Sequence, residues 1–310
     1  MAELADAERI LGARLGPALH ERFPIAPLTT FRIGGPAALF VEAQDDAALA
    51  AVGEAAAATS IPVAVIGKGS NMLVADAGFP GIVVRLGRGF RWAGRDGDRL
   101  SAGGAMPLPA LAGIAMRHRL AGLEFGVAIP ASLGGAVKMN AGAHARSMSD
   151  VLERVELHPL TGEGGRRTLP ASEASFSYRR SDLPEGSIVV GAALRLAGGA
   201  DEDIRARMDE AREWRRRTQP LAEPNCGSVF KNPEGDHAAR LIEAAGAKGL
   251  RVGGARVSEK HANFIVADPG ASATDVWTLI RRVRERVESE AGVLLETEVD
   301  LMGAMRDADD

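Results

Sequence analysis

Apolar residues recur along this chain at two periods, near two in some windows and near 3.6 in others, and the changes of period divide it. Residues 38–42 read as a strand, Asp45-Asp46 as a helix start, and an alanine-rich helix runs to about residue 58. A second strand over 61–66 leads straight into Gly67-Lys68-Gly69-Ser70-Asn71, so the opening is a strand–helix–strand unit. Residues 82–86 give another strand, 90–100 a hairpin about Asp96-Gly97, and 108–120 a helix. From residue 151 the pattern turns to β, with strands predicted over 151–158, 167–169 and 187–196 and a turn at Thr161-Gly162. A junction of small residues at 197–200 precedes a helix over 201–217, whose Ile204, Met208, Ala211 and Trp214 share one face. The last third holds a helix over 236–245 stopped by Gly246, strands over 255–257 and 263–266, and a helix with Val276, Ile280, Val283 and Val287 on one side. A strand over 293–302 closes the chain, and both tails read as loose.

Length and composition narrow the class. A chain of 310 residues is too long for one small core and suggests two or three domains, with the junction at 197–200 as a boundary. Apolar and charged fractions of 46% and 25% are those of an ordinary soluble protein. No apolar run is long enough to cross a bilayer, and the acidic N-terminus lacks the basic and apolar regions of a secretory signal, so a cytoplasmic protein without membrane insertion is expected. The single cysteine, Cys226, excludes an internal disulfide and a cysteine-built zinc site, and no metal is expected. With a net charge of −4 and only short basic runs beside acidic neighbours, a nucleic-acid groove is not expected, and no obligate protein partner is evident.

Glycine changes the picture. Its 37 residues exceed the usual share and cluster, which means backbone pressed against something, a phosphate-rich ligand first among the candidates. Gly67-Lys68-Gly69-Ser70-Asn71 follows a strand, but Lys68 sits between glycines and fails the ATPase phosphate-loop pattern, and no G-x-G-x-x-G follows any predicted strand. A tight turn remains the competing reading. A second segment, 122–142, carries Ile129-Pro130-Ala131-Ser132, Gly134-Gly135 and Asn140-Ala141-Gly142. Two such surfaces suit a long ligand with a diphosphate and a flat ring. A third segment, Pro224-Asn-Cys-Gly-Ser-Val-Phe-Lys-Asn-Pro233, sets one hydroxyl, Ser228, in a chain whose prolines and glycine fix a non-helical path. An ordinary loop would read the same way.

Six motifs in order give these segments a common meaning: Thr29-Thr30-Phe31-Arg32-Ile33-Gly34-Gly35, Gly67-x-Gly69-Ser70-Asn71, Ile129-Pro130…Gly134-Gly135…Asn140-Ala141-Gly142, Tyr178-Arg179-x-Ser181, Gly227-Ser228-x-Phe230-Lys231-Asn232-Pro233 and Leu295-Glu296-x-Glu298-Val299. From about residue 28 to 303 the chain resembles the UDP-N-acetylenolpyruvoylglucosamine reductase (MurB) family. The resemblance implies an α+β fold: a two-subdomain FAD-binding unit of the vanillyl-alcohol-oxidase (PCMH) type plus a C-terminal α+β substrate-binding domain. The domains it implies are 1–80, joined by the closing strand 293–302, then 81–200 and 201–292. It further implies an oxidoreductase of peptidoglycan synthesis, in which NADPH reduces FAD, hydride then reaches C3 of the enolpyruvyl ether of a UDP-sugar, and a proton arrives at C2.

Residue roles follow from the same resemblance. Arg179, with Arg180 as its rival, would counter charge on the substrate carboxylate, Ser228 would give the proton to C2, and Glu298 would help stabilise the enol. FAD would be held by Arg32, Gly67, Lys68, Gly69, Ser70, Asn71, Ile129, Pro130, Ser132, Gly134, Gly135, Asn140 and Gly142. Tyr178, Lys231 and Asn232 would serve the substrate, and Lys260 and His261 are candidates for the diphosphate contacts that the chain's departure from one branch of the family leaves to be made elsewhere. Two departures stand out: Ala128 and Ala131 replace family glycines, and the short span from Ser181 to the strand at 187 leaves no room for the tyrosine-bearing insertion of one branch, so the chain resembles the shorter, second type. In a strand, Glu296, Glu298 and Asp300 would share one face and Leu295, Thr297, Val299 and Leu301 the other, which is also what a solvated acidic face would show. A related FAD-dependent oxidase acting on another alcohol or sugar is the alternative, disfavoured because it has no use for the Ser228 donor.

Overall fold

A computed structural model of the chain describes residues 2–162, 164–306 and 308, and has the mixed α+β character expected. It divides into two compact units built from interleaved segments: residues 1–21, 38–68 and 81–215 form the first, and 22–37, 69–80 and 216–310 the second.

The first unit is organised by two sheets. In one, Val63–Val65 pairs in parallel with residues 82–84. Helices α1 (Ala2–Leu15) and α2 (Asp46–Thr59) belong to its core, which buries Ala7, Leu11, Leu49 and Val52 completely. The N-terminal segment is therefore a packed helix rather than a loose tail. Helix α2 begins where the sequence placed it, because the Asp45 carboxylate accepts from the Ala48 N–H at 2.9 Å and satisfies one of the free amides of the first turn.

The second sheet is antiparallel and five-stranded, in the order Arg167–Pro170, Leu152–Pro159, Ser187–Arg195, Arg99–Gly103 and Ala93–Asp96. Helices α3 (Leu108–Arg117) and α4 (Leu133–Lys138) share its core through Leu108, Leu111, Leu133 and Val137, and α5 (Asp201–Thr218) adds Ile204 and Met208. The predicted helix over 108–120 stops earlier. Arg119 turns left-handed at φ 55°, and Leu120–Ala121 pairs instead with Ala197–Gly198, so the small-residue junction is itself a short strand.

The second unit contains α6 (Ala238–Ala244), α7 (Ala273–Ala291) and the antiparallel strands Arg251–Val252, Ala255–Val257 and Ile265–Ala267. The apolar stripe of α7 is buried as its spacing predicted, with Val276, Leu279, Ile280, Val283 and Val287 in the core. Removing each such side chain from water contributes about 1.5–3 kcal/mol before entropy is counted. Towards the other terminus the Ala308 N–H donates to the Thr278 hydroxyl at 2.8 Å, so this residue is also tied down.

The closing strand departs from expectation. Only Asp300–Met302 is a strand, paired in parallel with Met72–Val74. The alternation that buries Leu295 and Val299 then slips by one: Leu301 is exposed and Met302 is buried. Just before it, both the Glu298 and Val299 amides point at the Val229 carbonyl, at 2.7 and 3.4 Å, and strict alternation ends at Val299, since Asp300 and Leu301 are both exposed.

Helix α7 is held at its start from far along the chain. Ser272 and Asp275 form a capping box, and the Asp76 carboxylate accepts from the Ala273 and Thr274 amides at 2.7 and 2.9 Å and from the Thr274 hydroxyl at 2.8 Å. An anion there also meets the positive end of the helix dipole. Asp76→Ala is expected to lower the unfolding free energy by about 1–2 kcal/mol, with partial recovery in Asp76→Asn. An unchanged denaturant midpoint would refute this account.

Candidate functional site

Within the first unit the structure draws the glycine segments together. A Cβ built on Gly67 would lie 2.6 Å from the Ser132 Oγ, so only glycine allows the loop after Val63–Val65 to approach the segment 129–135 this closely. Ser132 is buried and accepts from the Gly135 N–H at 3.3 Å, capping α4. A Cβ on Gly134 would meet the Val189 carbonyl at 2.9 Å, so that glycine serves packing against the sheet. Ile129 and Pro130 lead into this cap, where the Leu108 N–H donates to the Ala131 carbonyl. The methyls of Ala128 and Ala131 are taken up against the core.

Lys68 follows Gly67 with its ammonium pKa lowered, first by partial burial and then by the charges of Arg85 and Arg91. Three cations sharing a neighbourhood repel one another, and an anion there would relieve all of them. Neither arginine was singled out in the sequence. The available signal was the strand pairing that sets residues 82–84 beside 63–65, from which Arg85 emerges level with the loop.

The tyrosine–arginine motif forms a tight turn in the same unit. Ser177 and Arg180 exchange backbone hydrogen bonds of 3.1 and 3.2 Å, and Arg179 sits at φ 55°, a left-handed conformation costly for a side-chain-bearing residue. The Arg179 guanidinium donates to the Gly142 carbonyl at 2.9 Å and stacks over the Tyr178 ring, 4.9 Å from its centre. Asn140, buried and at φ 42°, donates through Nδ2 to the Ser177 carbonyl at 2.8 Å and accepts from the Ser149 N–H at 3.0 Å. Asn140 and Gly142 thus hold the arginine turn in place. Arg180 instead points to Asp182 and is largely exposed, which separates the two rivals.

Elsewhere in this unit a pocket of about 730 Å³ is lined by Glu124, His144, Arg146 and Arg207, among others. Arg207 is bound to Glu124 and Arg146 to Asp150.

In the second unit, Ser228 lies on a chain fixed from both sides. Before it, the Asn225 Oδ1 accepts from the Gly227 N–H at 2.9 Å, and Gly227 takes φ 83°. After it, Asn263 holds Val229 and Phe230, and Phe230 forms an isolated bridge to Thr297. Among the described residues no hydrogen bond is made by the Ser228 hydroxyl, which leaves it available. Glu298 is brought alongside, since its N–H donates to the Val229 carbonyl. Burial, with the Glu298 charge in support, pushes the neighbouring Cys226 thiol pKa up, so Cys226 stays a neutral core residue.

The other predicted residues have definite local partners. Asn71 donates through Nδ2 to the Glu298 carbonyl at 3.0 Å. Gly69, at φ 58°, packs on Leu28 and Thr29, and its carbonyl accepts from Thr30; Arg32, exposed and at φ 60°, donates its N–H to the Thr29 hydroxyl at 3.0 Å. Ser70, half-buried, lies between them and Asn71. Lys231 pairs with Glu296 at 2.5 Å, and the Asn232 side chain accepts from the Ala238 N–H at the start of α6. Lys260 donates to the Arg216 carbonyl at 2.7 Å near the end of α5. His261 stacks edge-on against Phe264 with its pKa lowered by burial, so it is a neutral packing residue.

Known proteins carry the same pattern. Residues 37–164 match the family described as an FAD binding domain, and residues 219–302 match the C-terminal domain of UDP-N-acetylenolpyruvoylglucosamine reductase. A protein of that name from Anaeromyxobacter sp. (strain Fw109-5) is 46% identical over 280 residues, covering 90% of this chain and 87% of its own. Another from Heliobacterium modesticaldum is 47% identical over 282 residues, covering 90% of this chain and 89% of its own. The solved structure of the Thermus caldophilus reductase matches with a TM-score of 0.80 at 39% identity, over 91% of this chain and 98% of that one. A solved glucose dehydrogenase matches 70% of this chain and 51% of its own at 13% identity and a TM-score of 0.51, a likeness of fold alone.

Gly67→Ala should push Ser132 off its cap and lower flavin affinity about tenfold, or about 1.4 kcal/mol. Titration of the purified protein with FAD, followed by visible absorbance, measures this. Unchanged affinity would show that the close approach serves packing alone.

Proposed function

This chain belongs to the UDP-N-acetylenolpyruvoylglucosamine reductase family, and on that premise we propose that it reduces the enolpyruvyl ether of UDP-N-acetylglucosamine enolpyruvate to UDP-N-acetylmuramate, for peptidoglycan precursor synthesis, with NADPH as reductant. The observation that supports this reading most is the pairing of an unengaged hydroxyl, Ser228, with Glu298 through the Val229 carbonyl.

The residues fit FAD. A glycine contact with no room for a Cβ, beside a lysine crowded by two arginines, is a cradle suited to an anionic group that approaches backbone closely. Gly67, Lys68, Ser132, Gly134 and Gly135 would hold it, with Arg85 and Arg91 supplying charge. When bound, FAD supplies the hydride relay from NADPH to the substrate carbon.

The chain's own side chains manage charge and the proton. As the double bond is reduced at C3, electron density moves onto the substrate carboxylate. Arg179, always charged and pre-aimed by the Gly142 carbonyl and the Tyr178 ring, counters it without reorganising. The Ser228 O–H bond breaks as the C2–H bond forms, and the serine oxygen is reprotonated from solvent. Glu298 stands beside the donor segment and stabilises the enol form. Lys231 remains neutralised by Glu296 until a diphosphate competes for it.

Stopped-flow absorbance of the FAD-loaded protein separates the two half-reactions. Wild-type protein should bleach with NADPH and recover colour only with the enolpyruvyl sugar nucleotide. Ser228→Ala should leave bleaching near normal and slow recovery by roughly 10²–10⁴-fold. Equal loss in both halves would make Ser228 structural, and oxygen-driven turnover without NADPH would overturn the reductase reading.

A further inference from the structure

We propose that Asn263 is the positioning residue for Ser228, a proposal that rests on the reading of Ser228 as proton donor. Asn263 is buried, with 4% of its surface exposed. Its Oδ1 accepts from the Phe230 N–H at 2.9 Å, its Nδ2 donates to the Phe230 carbonyl at 2.8 Å, and its own carbonyl accepts from the Val229 N–H at 2.9 Å. One residue therefore does the work of a neighbouring strand for the two residues that follow Ser228.

On the opposite edge the same stretch is paired in the ordinary way. The Val229 carbonyl accepts from the Glu298 N–H at 2.7 Å and the Lys231 N–H donates to the Glu296 carbonyl at 2.9 Å. The side chains of Val229 and Phe230 are buried in the core and anchor the stretch from below. Rotation of the Ser228 backbone would have to break the Asn263 clamp or withdraw those anchors. Asparagine suits the task because its carboxamide presents a donor and an acceptor side by side, as a peptide does. Aspartate lacks the donor, leucine lacks both groups, and glutamine is one carbon too long. A buried polar group is ordinarily satisfied somewhere; here all three of its bonds to this stretch fall on the two residues after the proton donor.

Asn263→Asp tests this in the FAD-loaded protein. Ionised aspartate keeps the bond from the Phe230 N–H but sets a carboxylate against the Phe230 carbonyl. Burial and that carbonyl raise its pKa, and protonation restores a donor. At pH 9 the colour-recovery half-reaction should fall about 10–100-fold relative to wild type, while bleaching by NADPH changes less than about twofold. The ratio to wild type should climb back as pH falls to 6. Cys226, Lys231, His261, Glu296 and Glu298 are common to both proteins, so the ratio isolates residue 263. Asn263→Ser, too short to reach both Phe230 groups, should show the same selective loss without the pH recovery. In both variants the Val229 and Phe230 amides should exchange with deuterated water faster than in wild type.

Wild-type recovery rates in both variants would overturn the proposal, as would equal loss in the two half-reactions. Failure of the variants to bind FAD would overturn it too, because the residue would then serve the fold and not the aim of the donor. If Ser228→Ala itself recovers colour normally, the donor reading is what fails, and the two failures are told apart.

Discussion

The hydrogen bonding of two residues, Val229 and Phe230, is the constraint on which the second unit's candidate chemistry depends. On one edge the side chain of Asn263 closes on Phe230. On the other, the Val229 carbonyl takes the amides of both Glu298 and Val299. That shared carbonyl sets the Ser228 segment beside Glu298, just ahead of the strand that pairs with Met72–Val74. Asn71 reinforces the arrangement by donating to the Glu298 carbonyl. Hydrogen bonds of this kind are individually modest, but each buried group they satisfy would be costly to leave alone, so the segment has one low-energy path.

Glycine carries two separate duties. Gly67 permits the close contact with Ser132 in the segment proposed to face a ligand. Gly34, Gly35, Gly69 and Gly78 are required by the chain itself: a Cβ on Gly35 would fall 2.3 Å from the Asp76 carbonyl and one on Gly78 would fall 1.9 Å from the Pro36 carbonyl. The turn they pack also presents the Asp76 carboxylate to α7, so close backbone packing and helix capping are parts of one device. An enriched glycine content therefore pointed to close approach without distinguishing approach to a ligand from approach to the chain.

The order of motifs, the stripe of α7 and the cap of α2 were all legible, because each depends on residues near one another in sequence. Less legible were features made by distant partners. The N-terminal segment of α1 has a weak pattern of its own and becomes a helix by packing in the core with α2. Lys260 looked like a ligand-facing polar group, yet it donates to the Arg216 carbonyl, 44 positions away.

What the sequence determined by itself was the family and the α+β class, since motif order and local geometry are written in consecutive residues. What only the tertiary structure decided was which polar groups are free and which are engaged. Arg179 reaches the Gly142 carbonyl where Arg180 reaches Asp182, and Asn263 closes on Phe230 across 33 positions of chain. A hydrogen bond between residues far apart in sequence leaves no periodic trace, so its partners become known only when the chain has folded.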